Sequence, residues 1–183
     1  IVGALKAKKG SILFNLSDQV TGGVSFGKKE LLFIDLTQVQ SHNMSHYGIG
    51  YMPEDRRLVP ELTVKENILI PIWAVQNKSQ GIELERVLTF IPELKKFLHR
   101  ESFQLSGGQQ KLVALARAMI IGKKLLLLDE PFEGVAPALA DRLVDLIKSL
   151  SKLELTTLIT ESDETFSRKI KADIIKIERG RII

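Results

Sequence analysis

Residues 105–131 read LSGGQQKLVALARAMIIGKKLLLLDEP, and the rest of the chain is best read outward from them. Ser106 and Gln109 have the Ser-x-x-Gln spacing of a capping box, which starts the amphipathic helix KLVALARAMI. Capping needs no glycine, and each glycine inside a helix costs about 1 kcal/mol relative to alanine. Gly107 and Gly108 instead leave bare backbone at the first turn, where N–H groups can come close to an anion. The helix dipole adds about 0.3–2 kcal/mol of attraction there, and a phosphate fits best. KLLLLD (124–129) is an uninterrupted apolar run, the pattern of a strand covered on both faces of a parallel sheet. Asp129 then stands at the carboxyl end of that strand, where open α/β sheets place ligands. A carboxylate there can hold Mg²⁺, and Glu130 beside it can orient or deprotonate an attacking water. Each half alone also fits a blander reading, a well-capped helix and a strand that ends in a solvated acidic turn.

Toward the C-terminus, 137–150 places Leu139, Leu143, Leu146, Ile147 and Leu150 on one helical face. TTLITE (156–161) predicts a second buried strand, and DIIKIERGRII (173–183) a strand-turn-strand. Toward the N-terminus, Thr63-Val64-Lys65-Glu66 is another capping-box spelling, and Pro71 is expected to kink or end the helix behind it. Leu84, Val87, Leu88, Ile91, Leu94 and Leu98 describe a helical hairpin punctuated by Pro92. GIGYM (48–52) is a short strand running into the charged loop PEDRR, and GSILFNL (10–16) a strand before a polar loop and the apolar patch LLFIDL. The alternation predicts an α/β fold, a mostly parallel sheet with flanking helices, with an all-helical subdomain inserted near 63–104.

The totals are those of a globular protein: 183 residues, 44% hydrophobic, 26% charged. The net charge of +4 is spread along the chain and selects no nucleic acid. No cysteine is present, which excludes disulfides and thiol chemistry. No apolar run is long enough to span a bilayer as a helix.

LSGGQQKLVALARAMIIGKKLLLLDEP resembles the signature motif, its helix and the acidic strand of ABC-type ATPases, in that family's order and spacing. GIGYMPEDRRLVPELTVKENI resembles the segment leading into the family's helical subdomain. EPFEGVAP resembles the loop that follows, particularly in ATP-binding subunits of branched-chain amino acid importers. The resemblance implies ATP and Mg²⁺ as ligands and hydrolysis as the reaction. It implies a second ABC ATPase subunit packed head to tail, as homo- or heterodimer, and transmembrane permease subunits as further partners. The place of action would be the cytoplasmic face of the cell membrane, and nucleic acid is not implied. Nucleotide would be bound by Ser106, Gly107, Gly108, Gln109 and Glu54, with the signature residues closing over the partner's ATP. Metal would be held by Asp129 and Glu54. Catalysis would fall to Glu130 as base and to Ser162, and Val135-Ala136-Pro137 would contact the other subunit.

Three features depart from the family pattern. The phosphate-cradling G-x-x-x-x-G-K-[ST] motif is absent, and Gly22–Lys29 (GGVSFGKK) is only a near match with lysine where the hydroxyl belongs. IVGALKAKKGSILF resembles the segment just behind the P-loop helix, so an N-terminally truncated domain over 1–183, inactive alone, is expected. Glu54 occupies a position where most members carry glutamine. Ser162, in LITESD, stands where the family usually has a histidine that grips the γ-phosphate. His42 and His46 lack cysteine or acidic neighbours for a metal site, and Trp73 suits a core position or a membrane-subunit interface. Two competing readings stay open: an ATPase-derived interaction protein that does not hydrolyse, and a non-transport ABC ATPase.

Overall fold

The computed structural model describes residues 6–16, 33–75, 84–153 and 155–183, in two compact units, 1–47 and 48–183. The near match at 22–29 lies outside the described residues. In the first unit, β1 (Leu13–Asn15) pairs antiparallel with β2 (Phe33–Asp35), with Phe14 opposite Ile34. Asp35 ends β2 and caps the turn behind it, its Oδ1 accepting from the Thr37 amide and hydroxyl.

The second unit is built on a parallel sheet of order β3-β4-β5 among the described strands: Ile49–Met52, Leu125–Asp129 and Thr156–Thr160. Tyr51 lies opposite Leu127, and Asp129 opposite Thr160. Leu125 to Leu128 are all buried, as an apolar run between two covering layers requires. The helices are α1 (Val64–Ala74), α2 (Leu84–Phe90), α3 (Gly107–Ile121), α4 (Pro137–Leu150) and α5 (Glu164–Ile170), and a 3₁₀ segment, Pro92–Phe97, follows α2. None is long and apolar enough to cross a membrane.

Helix α3 is the centre of this unit. It is buried nearly all round, from Lys111 to Ala116 and from Ala118 to Ile121, rather than along one stripe. The cause is its place between β3 and α1: a Cβ on Gly50 would lie 2.1 Å from the Ala118 carbonyl, so backbone meets backbone. Helix α4 keeps the expected one-sided pattern, burying Leu143, Leu146, Ile147 and Leu150.

Two expectations are overturned, the burial of β5 and a core place for Trp73, and two helices add details of their own. Helix α1 runs through Pro71 to Ala74: the proline removes one N–H, and its own carbonyl closes the last turn by accepting from Val75 N at 3.1 Å. Strand β5 is not buried. Its residues alternate between exposed and half-buried, and Leu158 is 44% exposed beside a cavity of about 1200 Å³ lined by α5 and the C-terminal residues. Trp73 is 57% exposed, so it is no core residue. Helix α5 has no counterpart in the apolar pattern; Asp163 starts it by accepting from Thr165 N at 2.9 Å. The terminal strand-turn-strand is present, as β6 (Ile177–Glu178) and β7 (Arg181–Ile182) around Arg179 and Gly180, both at positive φ.

Candidate functional site

The carboxyl ends of β3, β4 and β5 gather the acidic residues. The Asp129 carboxylate receives a hydroxyl on each oxygen: Tyr51 donates to Oδ2 at 3.1 Å from β3, and Thr160 to Oδ1 at 2.5 Å from β5. The two neighbouring strands therefore fix its orientation. Burial, then the bond to Asp129, raises the Tyr51 phenol above its usual range, so it stays a donor.

Glu130 follows at φ +44, a left-handed conformation rare for a non-glycine residue. Several contacts hold it there. Its N–H donates to the Thr160 carbonyl at 3.0 Å. Its carbonyl accepts from Lys111 Nζ at 2.6 Å, and Lys111 on α3 is only 4% exposed. Its carboxylate accepts from Ser162 Oγ at 3.4 Å. Glu161 reaches back from the end of β5, where its Oε1 accepts from Phe132 N at 3.1 Å and its carboxyl meets that of Glu130. Burial, with Glu130 adding to it, pushes the Glu161 carboxyl up to about 7. Burial and the nearby Arg56 charge lower the Lys111 ammonium.

Glu54 is exposed at the start of the loop after β3. Repulsion by Glu133, a shared hydrogen bond with it, and the charges of Asp129 and Glu130 raise its pKa. The loop behind Glu54 is held firmly. Asn67, fully buried on α1, accepts from Val59 N at 2.8 Å and donates to the carbonyls of Val59, Leu62 and Thr63. Ser102 Oγ donates to Val59 O at 2.7 Å. Arg117 of α3 donates to the carbonyls of Arg57 (2.7 Å) and Arg56, two residues at positive φ. In return Arg56 Nη1 donates to Gln110 Oε1 at 3.1 Å and to Gly107 O at 3.4 Å.

At the start of α3 the capping box is closed in both directions: Gln109 N donates to Ser106 Oγ at 3.3 Å and Ser106 N to Gln109 Oε1 at 3.0 Å. Ser106 and Gly107 are exposed. Gly108 has a packing reason as well, since a Cβ there would lie 2.3 Å from Leu139 Cδ2 on α4.

Asp129, Glu130, Glu54 and Ser162 are thus brought to one edge of the sheet, and Arg56 joins the Glu54 loop to the glycine turn of α3. Sequence reasoning missed Glu161, Lys111, Tyr51 and Thr160. Register alone could have pointed to Thr160, which pairs with Asp129, and to Glu161 behind it, which follows its strand as Glu130 follows Asp129; Tyr51 and Lys111 depend on packing. Among the described residues no three acidic or histidine side chains are arranged to hold a metal unaided. Magnesium asks for less: one or two carboxylates plus phosphate oxygens suffice, and the uncompensated repulsion around Glu54 suits a divalent cation.

Comparison with known proteins identifies the family. The ABC transporter family matches residues 1–133. The chain is 28% identical, over its whole length and 78% of the relative's, to the high-affinity branched-chain amino acid transport ATP-binding protein BraG of Pseudomonas aeruginosa. It is 29% identical, over 81% of its length, to the probable branched-chain amino acid transport ATP-binding protein LivF of Archaeoglobus fulgidus, and spans 63% of that relative. The ADP conformation of MJ1267, an ATP-binding cassette of an ABC transporter, superimposes with a TM-score of 0.61 at 30% identity, over 87% of this chain and 61% of the other. With that breadth of agreement in motif order, fold and sequence, the chain belongs to the ABC transporter family.

Proposed function

We propose that this chain is the ATP-binding and hydrolysing subunit of an importer for amino acids, of the branched-chain type, acting at the cytoplasmic face of the membrane. One observation carries the reading: Glu130 is clamped in a left-handed conformation beside an Asp129 whose two oxygens are each oriented by a hydroxyl. A carboxylate held that firmly costs strain, and such strain is retained where a reacting group must be aimed.

In this reading Asp129 and Glu54 hold Mg²⁺, which when bound neutralises charge on the phosphate oxygens. Glu130 takes the proton of the attacking water. Ser162, hydrogen-bonded to Glu130, keeps that carboxylate turned toward the water. Ser106, Gly107, Gly108 and Gln109 present the amide end of α3 to the triphosphate held by a second ABC ATPase subunit. Helical residues between 63 and 104 form the subdomain that meets the membrane-spanning subunits, and the exposed Trp73 supports that assignment. A phosphate-cradling loop completes the site, and these 183 residues contain no such motif. Turnover is therefore to be measured in a form of the protein that carries one.

Glu130→Gln in that form is the test. ATP binding and ATP-driven association are expected to persist while hydrolysis falls about 10²–10⁴-fold, the usual contribution of a general base. Hydrolysis at the parental rate would remove Glu130 from the chemistry.

A further inference from the structure

We infer that Glu161 is a positioning residue for Glu130, acting through the backbone of the turn that follows β4; the inference rests on the reading of Glu130 as base. Three elements hold that turn. Strand β5 accepts Glu130 N at the Thr160 carbonyl (3.0 Å), α3 donates Lys111 Nζ to the Glu130 carbonyl (2.6 Å), and Glu161 accepts Phe132 N at Oε1 (3.1 Å). The Phe132 ring is itself stacked on Phe166 of α5, centroids 4.7 Å apart, so the far end of the turn is fixed from two sides. The first two bonds grip Glu130 itself. Glu161 grips the residue two further on, and so determines whether the chain between them can relax.

That control matters because Glu130 sits at φ +44, which a non-glycine residue keeps only while its surroundings enforce it. Freeing Phe132 N–H leaves a partly buried donor without a partner. It also lets the backbone swing toward an ordinary φ, which carries the Glu130 side chain away from its place beside Asp129. The half-buried Glu161 carboxyl lies near the charges of Glu130 and Lys111, and its oxygen makes a direct hydrogen bond to the backbone at Phe132 N. Its task is the amide of Phe132.

The experiment compares Glu161→Ala, Glu161→Asp and Glu161→Gln with Glu130→Gln in a form of the protein that carries a phosphate-cradling loop. Three quantities are read: ATP turnover, ATP affinity and hydrogen exchange at the Phe132 amide. Glu161→Ala is expected to lower kcat about 10–100-fold, the loss typical of a displaced reacting group, with ATP affinity changed by no more than about twofold. Phe132 exchange should quicken by about tenfold or more as the turn opens locally. Glu161→Asp, too short to reach, should behave likewise if the alanine variant does not fold. Glu161→Gln keeps an oxygen acceptor for Phe132 N–H and should retain slow exchange and turnover within about threefold of the parent. Parental turnover in the alanine and aspartate variants, unchanged Phe132 exchange, or a glutamine variant as impaired as alanine would each overturn the inference. Should Glu130→Gln itself hydrolyse normally, the assignment of the base fails instead, and Phe132 exchange still decides whether Glu161 holds the turn.

Discussion

At the scale of single residues, Ser162 is the informative departure. Its hydroxyl reaches Glu130 Oε2 at 3.4 Å, a long contact, and it carries no positive charge with which to hold a phosphate. A lost preorganised transition-state contact typically costs about 10²–10³ in rate, so Ser162→His is expected to raise turnover by about tenfold or more with little change in KM. Unchanged kcat would mean that this position does not face the γ-phosphate. The capping residues Ser106 and Gln109 were legible because a capping box is local, four residues that bond one another wherever they occur. Lys111 was not. In KLVALARAMI it has the look of a surface lysine, and only the packing of α3 turns it inward to the Glu130 carbonyl.

At the scale of elements, the joint between β3 and α3 sets the position of everything above it. Gly50 lets the two backbones touch, with the Ala118 carbonyl 2.1 Å from where a Cβ would be. A carbonyl cannot rotate aside as a side chain can, so Gly50→Ala must push α3 off the sheet. The expected loss is about 3 kcal/mol, the upper end for overpacking, read as a fall in the denaturant midpoint at constant m-value. Gly108→Ala, which meets only the tip of Leu139, is the milder comparison. Strand β4, both capping boxes, α4 and the helices between 63 and 104 were legible from period and cap. Strand β5 was legible as a strand but its exposure was not, since TTLIT alternates apolar and polar too weakly to declare it, and α5, which buries no residue fully, was not read at all.

For the whole molecule, the acidic residues predict a stability optimum on the acid side of neutrality. Glu66, Glu93, Asp163 and Glu164 are held below the ordinary carboxylate range by hydrogen bonds, those of Glu93 and Glu164 to basic partners, so the stability they contribute is lost as the pH falls through their lowered values. Glu161 acts in the opposite sense. Between its ordinary value near 4.5 and about 7 the folded protein keeps a proton that the unfolded chain has released, so stability declines as the pH rises through that window. Discounted for partial exposure, the loss is about 1 kcal/mol, and Tm measured against pH should be flatter above 5 in Glu161→Gln than in the parent. The family was legible at this scale from the order of its motifs, whereas the contacts that aim Asp129 and Glu130 depend on how strands align. The Arg56 and Arg117 bonds add a property of another kind. Every acceptor in that joint is an amide or carbonyl oxygen without net charge. Concentrated electrolyte near 1 M, which shrinks the Debye length to about 3 Å, weakens pairs such as Arg142–Glu93 and Lys169–Asp141 but has little to screen here. The joint between the Glu54 loop and the glycine turn of α3 therefore stays fastened in brine.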